Sequence, residues 1–456
     1  MGEAVLNAPS DLAEEIDSYL AALFPIHRSL GGDGNRETLR VLSEIAPIEI
    51  LEYPCGSEVF DWVIPPEWKL RDAWIKNAAG DKVVDCRENN LHLVSYSESV
   101  RTKMTFDELA PRLHYLEGDS SAIPYRTSYY NRTWGFCVSK SQFRDMEESG
   151  GTFDVCIDAD FDPDGSMSVG ELKVAGRRQD EFLVSTYICH PSMANDNLSG
   201  MVATALLARS MLLKGTPEYS WRYIFVPETI GALAYLRFNE SAMKAMNGGF
   251  VVTCCGGPGA LGMKETYLGD HLIDRAIRLA FRDFGVKPVI YPFRPDGSDE
   301  RQYSSPGFRI PVATVTKDKY YEYSEYHTSL DDLELVNGVQ LSESLAVYED
   351  AINTVESNLV VLSKYPKGEV QLGSRGLYPT VGGGIHQKMS GVNQKLDQEE
   401  LVDLISWIMF MADGTCDLVS ISEQSGHDFK SVKACVEVLL DHDLVEVFPI
   451  EQIHKA

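Results

Sequence analysis

With 456 residues, 44% of them apolar and 24% charged, the chain has the composition of a globular protein of two to four domains, which excludes collagen-like, low-complexity and wholly disordered classes. No apolar run approaches the ~18 residues that a membrane span requires. The 41 basic against 68 acidic side chains give a net charge of −27, which argues against nucleic acid or an anionic membrane as a partner, because affinity for polyanions comes from Lys and Arg neutralising phosphates.

The nine cysteines are odd in number and scattered, with no C-x-x-C spacing. Residues 1–10 carry no basic stretch leading into an apolar one. Reduced thiols and a cytoplasmic location are expected.

In chain order, residues 11–24 predict an amphipathic helix with Leu12, Ile16, Tyr19, Leu20 and Leu23 on one face and Asp11 as N-cap. A break at Gly31, Gly32 and Gly34 precedes a second helix over 36–45. From 58 to 125 the texture changes to Pro65-Pro66 and short β-branched or aromatic stretches such as 82–85 and 91–96, which predicts a small inserted β module. The aromatic-rich "IPYRTSYY" leads back to the main domain. From 152 the pattern becomes α/β. Strands over 155–158, 167–174, 182–188, 223–226 and 250–253 alternate with helices over 202–213, 233–239 and 271–284, which implies a mainly parallel sheet covered by helices. Sites in such sheets lie at strand ends.

After about 365, a Gly-rich stretch (Gly373, Gly376, Gly382, Gly383, Gly384) marks a linker. Residues 398–446 then read as helices over 401–411, 419–424 and 429–441 followed by the strand "LVEVFPI", the layout of a winged helix. The expected organisation is a main domain over 1–57 and 126–364, the β module over 58–125, and linker plus winged helix over 365–456.

Four segments carry chemistry. In "STYICHPSMANDNLSG" an apolar strand ends at His190, and Asp196 follows six residues on. Imidazole plus carboxylate at one strand end is a zinc-type pair, although Asn-Asp capping the next helix explains the loop equally well. In "YIFVPETIGALAYL" a strand ends at Glu228, suited to bind a metal or to act as general base on metal-bound water, or simply to favour a helix start. "SEYHTSLDDLE" offers Tyr326, His327 and Asp331, an imidazole with a carboxylate near enough to orient it. "PDGSDERQYSSPGFRIPV" places Ser298, Asp299, Glu300 and Arg301 on a polar turn before an apolar strand.

Taken together and in this order, the four segments resemble the zinc aminopeptidase superfamily, which also contains glutamate carboxypeptidase and glutaminyl cyclase. "ANDNLSG" is similar to its bridging-aspartate motif, "PETIGALAYL" to its Glu-Glu-x-Gly motif, "SDERQYSSPGFRIPV" to its Ser-Asp-x-x-x-Phe segment and "YHTSLDD" to its Tyr-His-Thr-x-x-Asp signature. Through "FDWVIPPEW", "IPYRTSYY" and "TYICHPSMANDNLSG" the whole chain looks like a bacterial subgroup of aminopeptidase-like proteins. These carry an inserted β module and a C-terminal winged helix, and often accompany polysaccharide or natural-product biosynthesis.

The resemblance implies that His190, Asp196 and His327 are metal ligands, that Glu228 is the general base, and that Tyr326 stabilises an oxyanion. Asp299, Glu300 and Arg301 are candidates for substrate binding, with Asp331 supporting the His327 loop. Three positions depart from the family. Thr229 stands where a second glutamate is usual, and Ser192 where an aspartate orients the first histidine. Cys254-Cys255-Gly256 stands where a further acidic ligand is expected. One zinc ion rather than two is therefore expected, with a water completing its coordination.

The function implied is zinc-dependent hydrolysis of an amide or peptide bond in a small-molecule or short-peptide substrate. Two alternatives remain: a biosynthetic deacylase or cyclase acting on a non-peptide amide, and a non-catalytic binding protein on a decayed scaffold. The third helix of the tail has Lys430 and Lys433 against four acids, so protein contact, either self-association into a homo-oligomer or docking onto the main domain, is expected of the winged helix rather than DNA binding.

Overall fold

The computed structural model describes residues 10–377 and 398–450. Its centre is an eight-stranded sheet in the order Glu49–Pro54, Ser166–Val174, Ser220–Val226, Glu181–Tyr187, Gly248–Val251, Val312–Lys317, Leu261–Lys264, Val289–Tyr291. Glu181–Tyr187 runs parallel to both its neighbours, and Val312–Lys317 continues the parallel run beside Gly248–Val251. Antiparallel pairings join Ser166–Val174 and Leu261–Lys264 to that centre. Strands covered on both faces read as near-continuous apolar runs, and Glu181–Tyr187 is buried at every position after its first.

Two cores flank the sheet. On one side Gly200–Leu213, Leu272–Asp283 and Gly338–Ser357 bury Val202, Ala276, Leu345 and Tyr348 together with Ile16 and Leu20 of the first helix, Ser10–Leu23. The Asp17 carboxylate fixes that helix by accepting the Gly338 amide at 2.6 Å. On the other side Ile230–Phe238 packs Ile230, Ala234 and Leu236 against Val226 and Val251.

The strand expected at 155–158 is not in this sheet. It belongs to Thr152–Asp162, which lies between Glu67–Lys76 and Val100–Thr105 in a separate four-stranded antiparallel sheet. The physical reason is visible in its residues: Phe153, Val155, Ile157 and Ala159 point into the module's core while Asp154, Asp158 and Asp160 point away. That period-2 alternation marks a sheet with one wet face, not a doubly covered strand. Residues 91–96 are also not a strand. A 3-10 turn over Asn90–His92 is followed by single bridges, Leu93 to Phe136 and Ser95 to Thr127.

The winged helix begins at Leu359–Ser363, which pairs with Asp413–Asp417 and Val445–Pro449. Its helices are Gln398–Met411, Leu418–Ser425 and Phe429–Asp441. Gly382, Gly383 and Gly384 of the expected linker lie outside the described residues. Leu404, Leu418, Val432 and Leu439 join the same hydrophobic core as the main sheet's helices, so this domain is packed onto the rest rather than tethered to it. All nine cysteines are free thiols. Among the described residues, no helix is long and apolar enough to cross a membrane.

Candidate metal centre

Parallel register sets the first two groups side by side. Tyr187 is opposite Val226, and the Ile188 amide extends the ladder by donating to the Val226 carbonyl at 2.9 Å. The chain therefore leaves both strands at the same edge, and His190 Nε2 lies 3.8 Å from Glu228 Oε2. The Glu228 amide donates to Cys189 Sγ at 3.2 Å. From below, the buried Arg28 donates to the His190 carbonyl at 2.9 Å and to the Leu23 carbonyl at 2.7 Å, tying the first helix to the histidine loop. Burial lowers His190 to about 4, so its imidazole is neutral at ordinary pH, the form that binds metal.

Asp196 sits in the turn Ala194–Ser199, held from outside by Asp331. The Asp331 carboxylate accepts the amides of Asn195 at 2.6 Å and Asp196 at 2.9 Å, and the Tyr323 hydroxyl at 2.9 Å. Burial pushes the Asp331 carboxyl up to about 7 against the pull of those donors. Asp331, expected to support the His327 loop, touches that loop through Tyr323 and the Thr328 carbonyl and also steadies Asp196. The Tyr187 hydroxyl donates to Asp196 Oδ1 and is itself paired with Thr253 Oγ1 at 2.6 Å. Burial resists ionisation of Asp196, yet His190, His327 and Tyr187 outweigh it and hold the carboxyl at about 2.

His327 completes the group. Its ring stacks on Tyr326, with centroids 3.9 Å apart and planes 13° from parallel. Its Nε2 lies 2.9 Å from Asp196 Oδ2, but not in hydrogen-bond alignment, and it is buried without a hydrogen-bond partner. One ligand atom each from His190, Asp196 and His327 lies within 4.8 Å of the others. A neutral imidazole, an ionised carboxylate and an orphaned imidazole nitrogen turned to one point fit a tetrahedral zinc ion with one open position. Glu228 stands beside this set and is not a member of it. His327 of the set and three residues around it, Thr229, Ser192 and Cys254, are backbone-strained, with positive φ of 56°, 64°, 40° and 46°. For a β-branched residue such as Thr229 this is a genuine outlier, and such strain concentrates at functional sites.

The polar turn meets the centre through Thr229. Asp299 Oδ1 accepts the Thr229 amide at 2.8 Å, and Arg301 Nη2 donates to Thr229 Oγ1 at 3.3 Å. Burial, with Asp299 and Asp196 nearby, pushes the Glu228 carboxyl well above the ordinary carboxylate range. Asp299 Oδ2 is buried and unpartnered. Glu300 points elsewhere: Oε1 accepts Thr314 Oγ1 at 2.7 Å, and Oε2 is 3.8 Å from the buried Lys264 ammonium. The structure therefore brings Asp299 and Arg301 to the Glu228 side and turns Glu300 into the sheet. Ser192 does not orient His190; its hydroxyl donates to the Phe24 carbonyl at 2.8 Å and accepts from Asn90 at 2.7 Å.

Sequence reasoning missed Tyr125, Tyr187 and Arg28. The Tyr125 ring lies 5.2 Å from that of His190 and 5.1 Å from that of His327, and the Tyr125 amide donates to the His327 carbonyl at 2.8 Å. The aromatic density of "IPYRTSYY" was the only available signal. A second acidic group, Asp72, Asp85 and Cys86, lies in the β module and is engaged internally, with Lys82 2.6 Å from Asp85 and Arg87 3.2 Å from Asp72.

Fold and topology together define an α/β protein of the zinc aminopeptidase fold with a C-terminal winged helix. A zinc aminopeptidase from Bacillus subtilis shares that fold with a TM-score of 0.55 at 13% identity, covering 75% of this chain and 94% of its own. More particularly, residues 18–358 match the family model described as a domain of unknown function, DUF4910, and residues 360–447 match a winged helix-turn-helix. The chain belongs to the DUF4910 family. A Clostridium acetobutylicum protein, provisionally named a polysaccharide biosynthesis protein with aminopeptidase-like domain, is 39% identical over 438 residues, 96% of this chain and 97% of its own. A crystal structure from the same organism, provisionally described as a peptidase, has a TM-score of 0.88 at 37% identity, covering 96% of this chain and 97% of that one.

Proposed function

We propose that the protein is a zinc-dependent hydrolase of an amide bond, with a single ion held by His190, Asp196 and His327. The observation that carries this reading is the convergence of those three ligand atoms within 4.8 Å, with the His327 nitrogen buried and making no aligned hydrogen bond. When bound, zinc supplies a Lewis-acidic centre and a water acidified toward neutral pH.

The chain's own residues supply the rest. Glu228, a quarter exposed and 3.8 Å from His190, takes the proton of the attacking water at Oε2 and returns it to the leaving amine. Thr229, Asp299 and Arg301 fix the loop that carries Glu228. Tyr326, held by its stack on His327, offers its hydroxyl to the oxyanion, and Arg301, with Asp299 behind it, is the group assigned to the polar end of a substrate. The side chain of Glu300 is committed to Thr314 and Lys264, which leaves it a supporting rather than a binding part. The name of the Clostridium relative favours a non-peptide amide, such as an acylated amino sugar, as the substrate class to set beside aminoacyl amides.

The test is metal analysis of the purified chain combined with a Glu228→Gln variant, assayed on aminoacyl anilides and N-acyl amino sugars. The expected result is about one zinc per chain in both proteins, loss of hydrolysis on chelation, and a kcat about 10²–10⁴-fold lower in the variant. Undiminished hydrolysis by Glu228→Gln removes Glu228 from its role. A folded protein that takes up no zinc removes the reading as a whole.

A further inference from the structure

Apart from the metal centre, a cavity of about 330 Å³ opens where the β module meets the main domain. That is within the size range of small-molecule sites. Its walls include Ile64, Pro65, Pro66, Tyr96, Tyr129 and Tyr130. The three tyrosine hydroxyls are already engaged. Tyr96 donates to the Pro66 carbonyl, Tyr130 to the Val63 carbonyl at 3.3 Å, and Tyr129 shares a hydrogen bond of 2.9 Å with Tyr125. The rings therefore present apolar surface, and the walls have few side-chain groups to spare for the hydroxyls of a sugar.

The single charged residue of the lining is Arg132. Its guanidinium lies 3.7 Å from the centroid of the Phe161 ring, and it has no ion pair or hydrogen bond among the described residues. No carboxylate lines the cavity to neutralise it. The rim adds exposed aromatic surface: Trp62 is 40% and Tyr130 48% exposed, and their rings meet edge-on at 5.6 Å. A guanidinium fork matches a carboxylate in both geometry and charge. One such fork, with no second cation in the cavity lining, suits a monoanion better than a phosphate dianion.

We propose that this cavity binds a carboxylate carried on an apolar or aromatic body, with Arg132 taking the carboxylate and the Tyr96, Tyr129 and Tyr130 rings taking the body. The Tyr129–Tyr125 hydrogen bond places the cavity one ring away from the two candidate metal-binding histidines, since the Tyr125 ring touches both. The proposal does not depend on the hydrolase reading, because none of the cavity's walls belongs to the metal set.

The test is calorimetric titration of the full chain, with and without chelator, using 4-phenylbutyrate and 4-phenylbutyramide as probes. The acid should bind at least about tenfold more tightly than the amide, a step of roughly 1.4 kcal/mol, and chelation should leave both affinities unchanged. Arg132→Gln should abolish the preference, and Arg132→Lys should retain part of it. Both variants alter a side chain exposed at the surface, so folding is not at stake. No saturable binding of the acid, equal binding of acid and amide, or a preference that survives Arg132→Gln would each overturn the proposal. So would loss of acid binding on chelation, because that would place the carboxylate on the metal instead.

Discussion

At the scale of single residues, the candidate centre depends as much on what holds Asp196 as on Asp196 itself. Asp331 gathers two amides and a tyrosine hydroxyl, so the angle at which Asp196 meets the two histidines is set by direct contact with a residue more than a hundred positions away in sequence. Exchanging Asp331 for asparagine keeps the shape but turns one acceptor into a donor that faces an amide. Outer partners of this kind typically change metal affinity 10–100-fold. Asp331→Asn should therefore weaken zinc binding about 10–100-fold while the chain stays folded, as read by competition with a zinc indicator. Tyr323→Phe, which removes one of three donors, should have a smaller effect. Unchanged affinity in Asp331→Asn would mean that the 194–199 turn holds its form without it. His190, Asp196 and His327 were legible because each sits in a short motif with its own local signature. Tyr125 and Arg28 were not, because their meaning comes only from which strand end they face.

At the scale of elements, the winged helix is docked on the main domain by side chains as well as by apolar packing. Arg282, on the helix Leu272–Asp283, donates to the Ser422 carbonyl at 2.9 Å, the His427 carbonyl at 2.8 Å and Ser422 Oγ at 2.8 Å. Arg275 of the same helix pairs with Glu423 at 2.6 Å. Charge-assisted bonds to partly buried carbonyls are costly to lose. Arg282→Ala should destabilise the chain by about 2–4 kcal/mol and split a single urea transition into two, with the C-terminal domain melting first. A single transition in the variant would show that the shared apolar core alone couples the domains. The third helix of this domain, Phe429–Asp441, starts against the main domain: the Phe429 amide donates to Asp283 at 3.0 Å, and Lys430 meets Asp350 at 2.7 Å. The N-terminal residues of such a helix are the ones that read base edges in DNA-binding relatives of the motif. Here they are engaged by carboxylates, so no salt-sensitive shift of duplex DNA is expected, and a shift that weakens with added salt would reverse that expectation. Gly338–Ser357 was the longest element missed in the sequence. It buries Leu341, Val347, Tyr348, Ala351 and Val355 on a face that also carries the buried polar residues Ser344 and Thr354, which dilute the apolar stripe that would betray it.

At the scale of the whole molecule, the sequence yielded the layer architecture because doubly covered parallel strands announce themselves as apolar runs. It yielded less about which sheet a strand joins, since Thr152–Asp162 follows the same β-rich text as its neighbours and only its alternating aspartates mark it as part of the module. The same burial that builds these layers also sets the response to acid. His27 and His271 are far apart in sequence, and burial lowers both from 6.5 to about 4. Each has a buried Nε2 with no hydrogen-bond partner, so that nitrogen offers a charged ring no acceptor to stabilise it. The unfolded chain protonates these rings below about 6.5, whereas the folded chain does so only near 4; between those values, unfolding takes up protons and stability falls as pH falls. Each ring accounts for up to roughly 3 kcal/mol of that loss by pH 4. Lowering the pH also relieves the repulsion of a net charge of −27, an opposing effect that wild type and variant share. His271 caps its helix through Nδ1, which accepts the Ile273 amide at 3.3 Å, and asparagine is a strong cap in the same position. His271→Asn should therefore be close to wild type in urea at pH 7 and lose about 1–2 kcal/mol less than wild type between pH 7 and pH 4.5. Parallel curves for the two proteins across that range would show that the acid loss comes from the carboxylates instead.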